Sequence, residues 1–565
     1  MMWSNVPCLD IFLFMVISCP ILSKHAQHKR ASVIKMFLHL VRTSYAAVRP
    51  LSTEAATTVK STRSGGGTST TTNLEGGTSS ATRTRGRDRT RGRDTLGKRL
   101  LSLVYAKRSA VITIRKWKEE GHPVRKYELN RIVRELRRHK RYKHALEICE
   151  WMRVQDDIQL LSGDYAVHLD LIAKIRGMNS AEKFFEDLPD KLKVQTTCTA
   201  LLHTYVQHKN IVKAEALMEK MSECGFLKYP LPYNHMLSLY ISQGQLDKVP
   251  GLIQELKKNT SPDIVTYNLE LAVFASQNNI EAAEKTFLEL KKAKLDPDWI
   301  TFSTLTNIYT KNSLPDKAKS TLREMEKRIS RKARSAYSSL ISLHTNLESK
   351  DEVFRIWKEM KSIFGKLSDV ECICIISSLL KLDEFGEAMN LYTEWEAVTV
   401  TKDSRIANLI LAAYINKNKM EKAVDFQERM VQKGISPSCT TWELLTRGYL
   451  KQKEIDKVLD FFKKTVTSVS KWDPDKKMVQ EMFHVVEEQG NIQVAEQLLV
   501  TLRHAKYVNT EIYNALLRTY VNAGKMPMIV AERMKKDNVK MDDETQKLIG
   551  LTSKMTVTEV PNGVA

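Results

Sequence analysis

The side chains of this sequence that could do chemistry are amides, hydroxyls and cations, groups that bind rather than groups that break bonds. One phrase occurs twice between Ser261 and Tyr309. Pro262-Asp263 with Val265-Thr266-Tyr267-Asn268 returns as Pro297-Asp298 with Ile300-Thr301-Phe302-Ser303, a displacement of 35 residues. A second feature is positive charge. The 565 residues carry a formal net charge of +22, and the excess is concentrated between Lys98 and Leu146, where sixteen Lys or Arg face four Glu. A polyanion is the natural partner of such a stretch, with an acidic membrane surface as the weaker alternative. Catalytic groups are scarce. The eight cysteines form no C-x-x-C pair and no Cys/His cluster at zinc spacing, which points to a reducing compartment and no structural metal. The glycine run "SGGGTST" lacks the lysine of a phosphate-binding loop. Asp542 and Asp543 in "KMDDETQ" are too few for a metallonuclease and read as a helix cap. No catalytic residue, metal or cofactor is implied.

The recurring phrase extends into a register. Stepping from Asn268 gives anchors at Asn130, Ala166, Thr199, Asn234, Asn268, Ser303, Ser338, Ile373, Asn408, Glu443, Gln480 and Asn514. Fifteen residues after each anchor stands a small or apolar residue, including Ala145, Ala214, Ala283, Ala318, Ala423 and Ile529. A small residue at a fixed place marks a close approach of two helices, which a larger side chain would overpack. Within one repeat Tyr267, Leu271 and Phe274 fall at helical spacing, and so do Ala283, Phe287 and Leu290. Ser276 to Asn279, "SQNN", caps the second helix, and Pro297 is expected to stop it. Each repeat is therefore a helical hairpin. Hairpins of this size cannot bury their faces alone, so they stack into an all-α solenoid of about twelve helix-turn-helix units whose first helices line one concave surface.

The tetratricopeptide repeat wants Gly twelve positions before the small residue, and that place here holds residues such as Leu202, Leu271 and Leu411, never Gly. The 35-residue interval, the "PD-x-V-T-Y-N" junction and endings such as "FLELKKAKLDPD" instead resemble the P class of the pentatricopeptide repeat (PPR) family, found mostly in plant organelles. The resemblance implies a right-handed superhelical solenoid that binds single-stranded RNA, one base per unit. It implies sequence-selective, non-catalytic work in organellar RNA metabolism: transcript stabilisation, splicing or translation. It pairs each anchor with the last residue of its unit: Asn234 with Asp263 and Asn268 with Asp298 for uracil, and Asn408 with Ser438 for cytosine. Thr199, Ser303 and Ser338 are weaker base-reading candidates. Leu231, Val265 and Ile300, three residues before their anchors, match the position that flanks the base. Arg134, Arg137 and Arg138 are expected to contact phosphate. On the proposed concave face, Asn268 is expected to tolerate Ala with little change in stability. The family's editing members carry a zinc deaminase with H-x-E and C-x-x-C ligands, and neither motif occurs here. A second reading makes the array a scaffold that holds other subunits of an organellar ribonucleoprotein such as the mitoribosome.

The remaining segments divide as follows. Residues 1–35 read as an extension preceding the natural start, because Met36 opens "MFLHLVRTSYAAVRPLSTEAA", with Arg42 and Arg49 and no acid before Glu54. That composition is a transit peptide over 36–59, favouring the mitochondrion over the chloroplast. Residues 60–95 are a Ser/Thr/Gly/Arg linker expected to be disordered, 96–126 a basic helical cap, 127–548 the solenoid and 549–565 a disordered tail. No segment is long and apolar enough to insert in a membrane.

Overall fold

The computed structural model describes residues 94–103, 109–399, 401–470, 472 and 475–557. The expected extension, the transit peptide and all but the last residues of the linker lie outside these. The described chain forms two compact units, one running to Ile308 and the other starting at Tyr309. Both are built from antiparallel helical hairpins, and twelve hairpins follow one another among the described residues. In the first unit Ile264–Gln277 pairs with Ile280–Lys292, and in the second Ser404–Asn416 pairs with Met420–Gln432. First helices also pack on the first helices that follow: Gln195–Gln207 on Pro230–Gln243, and Ser404–Asn416 on Cys439–Lys451. Among the described residues no helix is long and apolar enough to cross a membrane.

The small-residue register is the seam of this packing. Ala145, Ala214, Ala283, Ala318 and Ala423 are all buried. The twelfth position breaks the rule. Ile529 is 56% exposed and left-handed, at φ 48°, because the last second helix shrinks to Val530–Lys536. The turn inside each hairpin has its own signature. Lys209, Asn278 and Lys453, each ten residues past its anchor, all adopt left-handed backbone. This reverses the chain in a single residue, and Asn279 then caps the second helix by accepting from the Ala282 N–H at 3.0 Å.

Three boundaries differ from expectation. Helix Ile280–Lys292 ends well before Pro297. Its end is set by left-handed Lys294, whose N–H donates to the Lys291 carbonyl. The basic cap of 96–126 is a pair of helices, Leu96–Leu101 and Ala110–Glu119, that pack on the two helices of the first hairpin much as another hairpin would. At the other end, residues 549–557 are not a tail. The Asp542/Thr545 capping box starts a helix that runs to Thr552, and Thr556–Val557 then pairs in parallel with Lys525–Met526.

Candidate nucleic-acid interface

The anchors lie where one first helix meets the start of the next. Asp263 caps helix Ile264–Gln277, its carboxylate accepting from the Thr266 N–H at 2.9 Å, and Thr266 is the third residue of that helix. This local motif is a capping box built from a short acid and a hydroxyl three residues on. The anchor of the preceding hairpin joins it. The Asn234 amide donates to Asp263 Oδ1 at 2.9 Å and accepts from the Thr266 hydroxyl at 2.8 Å. The next junction repeats the wiring: Asn268 donates to Asp298 Oδ1 at 3.1 Å and accepts from Thr301 at 2.7 Å. In the other compact unit Asn408 donates to Ser438 Oγ at 3.2 Å and accepts from Thr441 at 2.8 Å. The three pairings named from the resemblance, Asn234 with Asp263, Asn268 with Asp298 and Asn408 with Ser438, are thus direct contacts.

Two features were missed from sequence. Asn514 donates to Asp542 Oδ1 at 3.1 Å and accepts from Thr545 at 2.6 Å, a third Asn–Asp junction. Its acid had been read only as a cap, which it also is. The threonine is the other omission, visible in the phrase V-T-Y-N but without an assigned role. The asparagines of these four junctions are buried. Asn234, Asn268 and Asn514 expose 1–2% of their surface and Asn408 exposes 7%. An amide can make four hydrogen bonds. The Asn514 nitrogen also reaches Glu544 Oε2 at 3.5 Å, whereas at Asn268 and Asn408, where the junction uses one donor and one acceptor lone pair, one of each is left. Those match the paired donor and acceptor on a pyrimidine's Watson–Crick edge, provided the base edge enters the groove between successive first helices. Leu231, Val265 and Ile300 are half-buried beside these junctions in sequence, with apolar surface left to flank a ring.

The weaker candidates are wired differently. Thr199 and Ser338 turn their hydroxyls back onto the Gln195 and Arg334 carbonyls of their own helices. The buried Ser303 hydroxyl has no hydrogen-bond partner among the described residues. Asn130 donates to Asp164, the third residue of the next helix rather than its cap, and Lys126 pairs with that acid at 2.7 Å. The anchor Glu443 and Asp475, the last residue of its unit, put two acids at one junction. Arg447 pairs with Asp475 and offsets that acid's charge, while burial raises the Glu443 carboxyl.

Among the basic candidates Arg134 and Arg138 are exposed. Arg137 is half-buried and pairs with Asp170 at 2.7 Å, an acid it shares with Lys174. Burial pushes the Asp170 carboxyl up, but Lys174 and Arg137 outweigh it and hold it at about 2. Arg137 is therefore a staple between hairpins rather than a free cation. No group of His, Cys, Asp or Glu among the described residues is arranged to hold a metal.

Known proteins carry the same pattern. The PPR repeat family model matches residues 262–309, and the PPR repeat model matches 196–226, 232–260, 300–328, 335–363 and 406–435. A mitochondrial pentatricopeptide repeat-containing protein of Arabidopsis thaliana is 61% identical over 474 residues, covering 84% of this chain and 89% of its own. A second mitochondrial Arabidopsis thaliana protein of that description is 42% identical over 201 residues, or 35% of this chain and 49% of its own. The crystal structure of maize PPR10 is 18% identical, with a TM-score of 0.46 over 78% of this chain and 68% of that one. With so much of its length shared at 61% identity with the first of these, the chain belongs to the pentatricopeptide repeat family.

Proposed function

We propose that this chain is a non-catalytic, sequence-selective single-stranded RNA-binding protein that acts in mitochondrial RNA metabolism. The observation that carries the reading is the junction built three times from Asn, Asp and Thr and once from Asn, Ser and Thr. At Asn268 and Asn408 the amide keeps one donor and one acceptor for a base, and helical repeats of this family take one base per unit. Asn234/Asp263, Asn268/Asp298 and Asn514/Asp542 are assigned to uracil and Asn408/Ser438 to cytosine. The exposed Arg134 and Arg138 attract phosphate without reading sequence. The mitochondrial address follows the first Arabidopsis relative and the basic, acid-free segment that opens at Met36.

Equilibrium binding to RNAs varied at one base tests the reading. Asn268→Thr, with Asp298 kept, shifts the preference at one base from uracil toward guanine and leaves the salt slope unchanged. Removing Arg134 and Arg138 flattens the slope and weakens all sequences alike. Indifference to every base in both the native protein and Asn268→Thr would overturn the reader and favour a scaffold.

A further inference from the structure

We infer that Thr266, Thr301 and Thr545 are positioning residues that fix the orientation of the base-facing amide at the three Asn–Asp junctions. The inference rests on the RNA-reading role proposed above and concerns a residue to which that role assigns nothing.

The argument is clearest at Asn268. Asp298 Oδ1 receives two N–H donors, the Thr301 backbone at 2.9 Å and the Asn268 amide at 3.1 Å. The Thr301 hydroxyl lies 3.0 Å from that oxygen and 2.7 Å from Asn268 Oδ1. A hydroxyl has one proton to give, and the carboxylate oxygen is already served by two donors, so the proton goes to the nearer amide oxygen. A carboxylate cannot donate, so the amide nitrogen must face the acid and the amide oxygen must face the threonine. Turned over, the amide would set its oxygen against a carboxylate and leave the hydroxyl proton without its acceptor. The acid alone would hold the amide at one atom, about which it could pivot. The threonine supplies the second point and makes the plane of the amide definite.

This matters for specificity because uracil offers a donor beside an acceptor where cytosine offers an acceptor beside a donor. A definite orientation fixes the order in which the amide presents donor and acceptor, which a pivoting amide does not; Asn408 is held the same way, so its assignment to cytosine rests on Ser438 standing in place of the acid. The threonine accompanies the anchor asparagines, Thr441 serving Asn408 in the same way, while Thr197, which follows Ala166, turns its hydroxyl to the Leu192 and Val194 carbonyls instead. Asn234, Asn268 and Asn514 each have a Thr at the third helical position of the following segment, whereas Ser303, Ile373 and Gln480 have Ala336, Ile406 and Ile512 there. Asn130 has Asp164, another hydrogen-bonding residue.

The test is binding of the full chain to RNAs carrying U, C, A, G or an abasic site at the position facing Asn268, located by abasic scanning. Thr301→Val removes the hydroxyl and keeps the shape. It lowers the preference for uracil over the other bases by about fivefold or more, the scale of one well-placed bidentate contact. Affinity for the abasic RNA stays at the native value, and Thr301→Ser keeps the native preference. A loss of folding alone would move abasic binding and leave the base ratio unchanged. If Thr301→Val did not fold, the same panel with Thr545→Val at the base facing Asn514 gives an independent trial. Asn268→Ala in the same panel separates the two failures. If it abolishes the preference while Thr301→Val retains it, the amide reads the base and the positioning role is overturned. If Asn268→Ala also retains the preference, the reading at this unit fails and the inference fails with it.

Discussion

Asn268→Ala is the substitution on which the sequence and the structure disagree most. On a solvated helix face it would change stability by no more than about 0.5 kcal/mol. In the structure the amide is 2% exposed and joins two successive first helices through Asp298 and Thr301. Truncation removes the bond from the amide nitrogen to the Asp298 carboxylate. The Thr301 hydroxyl loses its nearer acceptor but can turn to Asp298 Oδ1 at 3.0 Å, so one of the two bonds is largely recovered. Asp298 is half-buried, and water can reach part of its carboxylate. The net loss is therefore one hydrogen bond to a charged group with partial compensation, about 1–2 kcal/mol. A long repeat array does not unfold as a single cooperative step, so a global melt would dilute the effect. Hydrogen exchange reads it locally. Amides in Ile264–Gln277 and in the first turns of Trp299–Lys311 should exchange roughly 5 to 30 times faster, the factor that corresponds to that loss. Helix Ser404–Asn416 should be unchanged, as should the protein carrying Asn416→Ala, whose side chain is exposed. Protection within about twofold of native in both helices would refute the idea that the amide is structural.

Ala283→Leu and Ala423→Leu insert a branched side chain where the two helices of a hairpin touch, and each should cost about 1–3 kcal/mol, measured by hydrogen exchange in the affected hairpin. Glu496→Gln should cost more, about 3–5 kcal/mol, because it leaves the buried Arg533 without the carboxylate that both its terminal nitrogens grip; thermal unfolding of the C-terminal hairpins would show it, and Glu496→Leu combined with Arg533→Met should recover most of the loss. Asp170 gives a pH signature. Its carboxyl is held below the ordinary value of 3.8, at about 2, so its contribution of about 2 kcal/mol is present above pH 4 and is lost as pH falls from about 4 to 2. Asp170→Asn should therefore be less stable than the native protein at pH 7 and equal to it near pH 2 by denaturant unfolding.

The hairpins were legible because their packing is written in short-range spacing. A small residue fifteen positions after each anchor and apolar residues at helical intervals are enough to define two helices and their seam, and Ala283 and Ala423 are buried as that pattern requires. What escaped was set by groups about thirty residues apart or by the backbone. Arg137 reads as a free cation on its own helix, and only the next hairpin reveals Asp170 opposite it. Lys294 ends its helix in a left-handed conformation that no lysine announces, so the stop was credited to Pro297. Asn514 was an anchor without a partner because its acid was sought five residues before a next anchor, and the register had none to offer. Asp542 was in plain view as a cap.

The same omission explains the burial of the anchor amides. Periodicity puts Asn268 on the first-helix face, but a cap and an anchor from successive hairpins close over it only when the hairpins stack. The junction therefore has two duties that compete. The acid and threonine proposed to orient the amide toward a base are the groups that start the next helix and fasten it to the one before. A substitution chosen to change the base should then also change how firmly two hairpins are joined, whereas anchors outside this wiring, such as Thr199 bonded within its own helix, are freer to vary. On the proposed reading, selectivity and stacking are written in the same residues, and the units that keep Asn, Asp and Thr together are the ones where neither can be altered alone.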